Sequence, residues 1–265
     1  MERQPSRPAC DVLSGGGNLV RVGVISDVHG NVLALDAALA ALRREGAQRV
    51  VCLGDLVGYG PYPNEVIERL REEAIPCTLG GTDARVAFAF AEPAGREGVA
   101  EETLAWTRDV LKPEHVAWLR NLPVQHRIDT PAGDVRMFHG AEDDPSGRTD
   151  LRMHPQVLQR LLDRLACRVL AVGGSHVPYE RHVGYAIAFN PGSVGLSLNG
   201  EPGADYALVE TSEGEDGTAG VALRMGKAEY DVGAAAFDVI AWGLPAVIAD
   251  VLRHGRMVDT PAEGA

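Results

Sequence analysis

Four short apolar runs each break off just before a residue that can bind a cation, and this pattern constrains the fold more than any other feature of the chain. Val22-Gly23-Val24-Ile25 runs into Asp27 and His29, Val50-Val51-Cys52-Leu53 into Asp55, Val135-Arg136-Met137-Phe138 into His139, and Val169-Leu170-Ala171-Val172 into His176. Short, β-branched apolar runs bounded by Gly, Asp and Ser read as buried strands. In open α/β sheets, functional groups gather where loops leave the carboxyl ends of the strands. Repeated delivery of Asp and His to such ends therefore predicts one site on one sheet edge.

The segments between these runs fit that reading. Asn31 caps a predicted helix carrying Val32, Leu35, Leu39 and Leu42, and Pro63 opens another with Val66, Ile67 and Leu70. Strands are expected near 20–26, 49–53, 75–79, 124–128, 134–138, 168–172, 182–189, 204–210 and 219–226. Residues 86–121 read as helical, as do the segment opened by Pro155 and the stretches 234–242 and 245–253. Glu210–Asp216 reads as a solvated hairpin loop. Early strand–helix alternation followed by consecutive strands predicts a mixed α/β sandwich in a single domain over 20–257. A flexible leader over 1–19 and a frayed tail over 258–265 flank it.

Composition narrows the function classes. The chain has 265 residues, 45% of them apolar, and a formal net charge of −12. That charge disfavours non-specific attraction to nucleic acid or to an anionic membrane, while a cation-binding cleft can still admit a small phosphate ester or inorganic phosphate. Cys10, Cys52, Cys77 and Cys167 form no CxxC pair, and Cys52, Cys77 and Cys167, in or beside apolar strands, read as reduced core thiols. No apolar stretch reaches the ~18 residues of a membrane-spanning helix, and residues 1–19 lack a signal-peptide core, so a cytoplasmic protein is expected. Asp27, His29, Asp55 and His176 make a mixed nitrogen and oxygen set suited to Mn²⁺ or Fe, with Zn²⁺ as a further candidate, ahead of Ca²⁺ or Mg²⁺. The remaining histidines and Trp106, Trp118 and Trp242 take the plain reading of element ends and core. Gly192 and Gly195 read as positive-φ turn positions, and Tyr59 as either facing the cleft or covering the core.

Taken together, Ser26-Asp27-Val28-His29-Gly30-Asn31, Gly54-Asp55-Leu56-Val57-Gly58-Tyr59-Gly60-Pro61, Phe138-His139-Gly140, His176-Val177-Pro178-Tyr179 and Asn190-Pro191-Gly192-Ser193-Val194-Gly195 resemble the calcineurin-like metallophosphoesterases, in their bacterial YfcE-like phosphodiesterase branch. The resemblance runs from about Val20 to about Gly255. It implies a four-layer α/β/β/α sandwich with two mixed sheets, and hydrolysis of phosphate mono- or diesters by metal-activated water. It assigns one metal to Asp27, His29, Asp55 and His176, and gives Asp55 and His139 to a second. Where the family carries Gly-Asn-His-Asp/Glu and Gly-His-x-His, this chain reads Gly80-Gly81-Thr82-Asp83 and Gly173-Gly174-Ser175-His176. Two ligands of the second metal are therefore replaced by glycine, and Thr82 stands where the family's phosphate-contacting, proton-donating His would be. The expectation is an enzyme of impaired catalysis with one firmly bound ion, in which His139 and Thr82 orient phosphate oxygens and Tyr59 meets the substrate. Asp83, Glu142, Asp143 and Ser175 lie close enough in sequence to supply substitute ligands. The alternative is a non-catalytic descendant that binds a phosphate ligand or a protein and keeps one structural metal.

Overall fold

The computed structural model describes residues 19–88, 98–149, 152–213 and 218–257. The leader, except Leu19, and the tail lie outside them, as does Cys10. Two mixed sheets stack face to face. The first has the strand order β2 (Arg49–Cys52), β1 (Val20–Ile25), β8 (Ala204–Glu213), β9 (Ala219–Ala228). The second runs β3 (Gln125–Thr130), β4 (Gly133–Phe138), β5 (Val169–Val172), β7 (Ala186–Asn190), β6 (Tyr179–Val183).

Strand period 2 builds the layers. On β1, Val22 and Val24 face Met137, Val169, Ala171 and Phe189 of the other sheet, while Ile25 turns outward. On β8, Ala207 and Val209 enter the inter-sheet core and Leu208 leaves it. On β5, Leu170 and Val172 point away from that core, toward Leu158, Leu162 and Leu165 of α6 (Pro155–Leu165). Ile25 and Leu208 pack instead against Leu35, Leu39 and Leu42 of α1 (Val32–Arg44) and Val66, Ile67 and Leu70 of α2 (Pro63–Glu72). Apolar residues alternate between two faces, each with its own partner layer, so the sequence yields helix, sheet, sheet, helix. Asn31 caps α1 by accepting a hydrogen bond from the Ala34 amide at 3.1 Å, and Pro63 and Pro155 open their helices as expected. Among the described residues no helix is long and apolar enough to cross a membrane.

β1 and β2 run parallel, as do β4, β5 and β7, so the carboxyl ends of each parallel set share one edge. The connections there carry Asp27, His29, Asp55, His139 and His176.

Some local expectations need correction. Residues 75–79 make a single bridge, Cys77 to Cys52, and no strand. The stretch 182–189 is two strands, because Gly184 and Tyr185 turn the chain between β6 and β7. β8 continues to Glu213: Thr211 is fully buried, and Glu210 pairs with Arg21 at 2.7 Å, so this half of the acidic stretch is sheet. Residues 214–217 lie outside the described residues. Helix starts at Gly81, in α3 (Gly81–Phe88), and α4 (Val99–Val110) and α5 (Pro113–Leu119) follow. Trp242 is 51% exposed and not core. Gly195 has no positive φ; a Cβ there would lie 1.8 Å from the Val28 carbonyl oxygen, so close approach is what requires glycine. Cys52, Cys77 and Cys167 are free and buried, as expected.

Phe189 is fully buried where the two sheets meet. Phe189→Ala should cost about 3–5 kcal/mol of stability, read as a lowered urea midpoint with an unchanged slope.

Candidate metal centre

Asp27 and His29 sit in the loop after β1, which is stitched to the loop after β2. The Asp27 amide donates to the Gly54 carbonyl at 2.9 Å, that of His29 to Asp55 at 3.0 Å, and that of Gly30 to Leu56 at 2.9 Å. A third segment, Ser193–Leu198, closes over both. Ser193 Oγ donates to the Asp27 carbonyl at 2.7 Å, and the Leu198 amide to the His176 carbonyl at 3.0 Å.

The side chains converge as the sequence predicts. His29 Nε2 lies 3.1 Å from His176 Nε2 and 3.9 Å from an oxygen of each of Asp27 and Asp55. His176 Nε2 is 3.2 Å from Asp27 Oδ1. His139 Nε2 is 3.1 Å from Asp55 Oδ2 and 3.9 Å from Asp27 Oδ1. Two groups have the spacing of metal ligands: Asp27 with His29 and His176, and Asp27 with Asp55 and His139. Asp27 belongs to both groups, and Asp55 lies 3.9 Å from His29 and 3.1 Å from His139. His139 is part of the cluster, facing Asp55.

Tautomers follow from the partners on the other ring nitrogen. Nδ1 of His29, His139 and His176 faces the carbonyls of Val57 (3.4 Å), Leu53 (3.1 Å) and Leu196 (2.8 Å). A carbonyl can only accept, so each Nδ1 carries the proton. Each ring therefore turns its Nε2 to the centre, where it can give a lone pair to a cation once any proton there is lost. The Nε2 atoms of His29 and His176 face each other at 3.1 Å, close enough to share one proton or to hold one cation. Carbonyl-anchored imidazoles beside carboxylates are the usual second layer of such sites, so the residues present fit a divalent transition metal.

Electrostatics and backbone agree. Burial pushes the Asp27 and Asp55 carboxyls upward, yet His176 and His139 beside Asp27, and His139 beside Asp55, hold both below the usual carboxylate range. Burial, then the proximity of His176, brings His29 down to about 4. Burial opposes protonation of His139 too, but Asp55 and Asp27 raise it to about 10; His176 is raised, against burial, by Asp27. Among the described residues, the two carboxylates have only histidines and backbone amides as partners, with no Lys or Arg. Asp27 (φ 56°), His29 (48°), Asp55 (52°) and His176 (57°) all adopt the left-handed conformation, as does Tyr59 (63°). That region costs roughly 1–2 kcal/mol per non-glycine residue, and such strain collects at functional sites.

Other candidates divide. The Tyr59 ring stands edge-on to His29 at 4.9 Å and also packs against the α7 (Val232–Ala241) and α8 (Ala246–His254) layer, so it serves cleft and core together. The Thr82 hydroxyl donates to the Val57 carbonyl at 2.9 Å, and it is the Thr82 amide that donates to Asp55 Oδ1 at 2.8 Å. Asp83 is fully buried and accepts from the amides of Leu56 (2.8 Å), Val57 (3.1 Å) and Gly80 (3.0 Å). Burial, then the Asp55 carboxylate, pushes it up to about 7. It shapes the loop that bears Asp55 and is not a substitute ligand. Glu142 pairs with Arg164, Ser175 Oγ donates to the Val177 carbonyl, and Asp143 is exposed, so these too stand apart. Sequence reasoning took Asn190–Gly195 as structural and missed that Ser193 and Leu196 hold Asp27 and His176. The proximity of Asn190-Pro191-Gly192-Ser193 to a strand end was the available signal.

Residues 20–214 match the family described as the calcineurin-like phosphoesterase superfamily domain. This chain belongs to that family. It is 27% identical to the uncharacterized protein MJ0912 of Methanocaldococcus jannaschii, across 89% of this chain and 98% of the relative. It is 24% identical to the phosphodiesterase YfcE of Escherichia coli, across 72% and 88%. A metallophosphoesterase from Sphaerobacter thermophilus superposes with a TM-score of 0.70 at 25% identity, covering 90% of this chain and all of that one. The protein PH1004 of Pyrococcus horikoshii gives 0.75 at the same identity and coverage. The family is metal-dependent, and the two ligand groups are where this member would keep a cation.

Removing the acceptor at position 83 tests how the Asp55 loop is held. Asp83→Ala strands three buried amides and should cost about 3–5 kcal/mol in urea unfolding, whereas Asp83→Asn, which keeps one acceptor oxygen, should recover about half.

Proposed function

We propose that this chain hydrolyses phosphate mono- or diesters by metal-activated water, slowly, using one firmly held divalent transition metal, Mn²⁺ or Fe ahead of Zn²⁺. The single observation that carries the reading is the pair of Nε2 atoms of His29 and His176, 3.1 Å apart beside Asp27, on rings whose other nitrogens are tied to carbonyls. Asp27, His29, Asp55 and His176 would hold the ion, and His139 would complete the Asp55 side. A divalent cation there supplies a Lewis acid that activates water and draws phosphate oxygens into the cleft. The protein's part is to keep the ligands rigid and nearly dry, which the strained loop residues and their carbonyl anchors do. Tyr59 limits the cleft on the His29 side and would meet the substrate there.

Slowness follows from what surrounds the second group. Gly81 offers no ligand, and a Cβ there would already stand 3.3 Å from the Pro145 carbonyl and 3.4 Å from Ser146 Cα. Gly174 (φ +78°) gives its amide to Asp27 at 3.1 Å, and a Cβ would meet His139 Nε2 at 3.2 Å. With glycine at both positions, a second ion would have only Asp27, Asp55 and His139 as ligands among the described residues. Thr82 spends its hydroxyl proton on Val57 and is no proton donor to a leaving group; general acid assistance is worth about 10²–10⁴ in rate. That hydroxyl orientation is also the observation favouring the second reading, a non-catalytic binder of a phosphate ligand or protein that retains one structural metal. Either protein would work in the cytoplasm, where its thiols stay reduced, on a small phosphate ester or inorganic phosphate and not on nucleic acid or membrane.

Metal analysis together with turnover of bis(p-nitrophenyl) phosphate in added Mn²⁺ separates the readings. The expected result is one ion per chain and slow turnover, with His29→Ala lowering bound metal at least about tenfold and abolishing turnover. One ion without turnover above an Asp55→Ala control would leave the non-catalytic reading. Two ions with fast turnover would overturn the degenerate second set.

A further inference from the structure

Beside the cleft lies a second cavity of about 170 Å³ whose walls include Arg148, Thr149, Arg152, Ser175, Val177 and Tyr179, with no acidic side chain among the described residues that line it. Two of its walls are chain neighbours of the metal centre. Ser175 and Val177 flank His176, and the Gly173 carbonyl behind them is held by Asn190 Nδ2 at 2.9 Å. Arg148 and Thr149 continue the loop that starts at His139 and passes Gly81 at Pro145 and Ser146. The cavity therefore opens along the side of the centre from which two metal ligands are missing.

Its charge is unusual for this molecule. The chain carries a net −12, and two carboxylates are buried in the neighbouring cleft. Against that background two guanidinium groups share one concavity, and Arg148 has no ion pair or hydrogen bond among the described residues. Guanidinium donors match phosphate oxygens in geometry as well as charge. Thr149, Ser175 and Tyr179 add hydroxyls to the wall, the pattern of a few polar groups in a partly apolar pocket that fixes a ligand's orientation.

We propose that this cavity, through Arg148 and Arg152, is an anion subsite that seats a terminal phosphoryl group next to the metal centre. The substrate class is then a small phosphate ester carrying a second phosphoryl group, and this last step rests on the phosphoesterase reading. The guanidinium charge stands on the side where the family would place its second cation. It draws in a dianion that the buried carboxylates would otherwise repel.

Calorimetric titration of the full chain tests this, once loaded with Mn²⁺ and once stripped by a chelator that is then removed. Inorganic phosphate and phenyl phosphate, which both present a dianionic terminal group, should bind the stripped chain. Dimethyl phosphate, a monoanion without such a group, should bind at least about tenfold more weakly. Arg148→Gln should weaken phosphate binding about tenfold or more. So should Val177→Glu, an exposed position that sets a like charge at the cavity wall and keeps the test alive if the first variant does not fold. Phosphate binding that needs the metal, or that survives both substitutions undiminished, would overturn the proposal. Failure of the chain to bind Mn²⁺ counts against the phosphoesterase reading alone, because the stripped chain is read by itself.

Discussion

Two carboxylates and two imidazoles are buried against one another at the seam of the sheets, with the half-buried His176 at their edge, and the surrounding structure is organised around making that tolerable. Taking such charges out of water costs several kcal/mol per ion even after relaxation. The cost is offset only if partners stand at short range and stay there. Asp27 and Asp55 have them at 3.1–3.2 Å in His176 and His139. The stiffness comes from beneath: loops that leave parallel strands, hydrogen-bonded loop to loop, with apolar layers on both faces of each sheet. A looser scaffold would admit water and let the carboxylates swing apart.

Orientation is set by groups with no side-chain identity of their own. The three histidines are aimed by the carbonyls of Val57, Leu53 and Leu196, and the Asp55 loop by amides gathered on Asp83. These contacts explain why four ligand residues tolerate left-handed backbone: neighbouring hydrogen bonds over-determine the conformation. They also place the departures from the family in context. A Cβ at Gly81 would stand 3.3 Å from the Pro145 carbonyl oxygen, and one at Gly174 would stand 3.2 Å from His139 Nε2.

Much of the architecture was legible in residue order. Apolar runs of strand length located β1, β2, β4 and β5, and the proline and asparagine caps located α1, α2 and α6, because each signal acts within a few residues. Misreadings came where a local signal was outvoted. Ile75–Leu79 is apolar enough for a strand, yet it makes only the one bridge to Cys52. Gly81 is a poor helix former, but α3 begins there. The charged run at Glu210 looked solvated until Arg21 and the β9 pairing enclosed it. Trp242 looked like core and instead stands half-exposed against Trp106 and Tyr62.

At the site the division is sharper. Residue order alone determined which groups reach the strand ends, since a ligand one to four residues past a buried strand must emerge on the same edge as its neighbours. It also determined that two expected ligands are glycine. Only the tertiary structure decided that the Thr82 hydroxyl turns to the Val57 carbonyl, and that Ser193–Leu198 holds Asp27 and His176. Those outcomes depend on hydrogen bonds between segments far apart in the chain, Asp27 to Ser193 among them, and on carbonyl directions that every residue type shares. A backbone carbonyl leaves no mark in the sequence, so its role becomes visible only once the chain has closed around it.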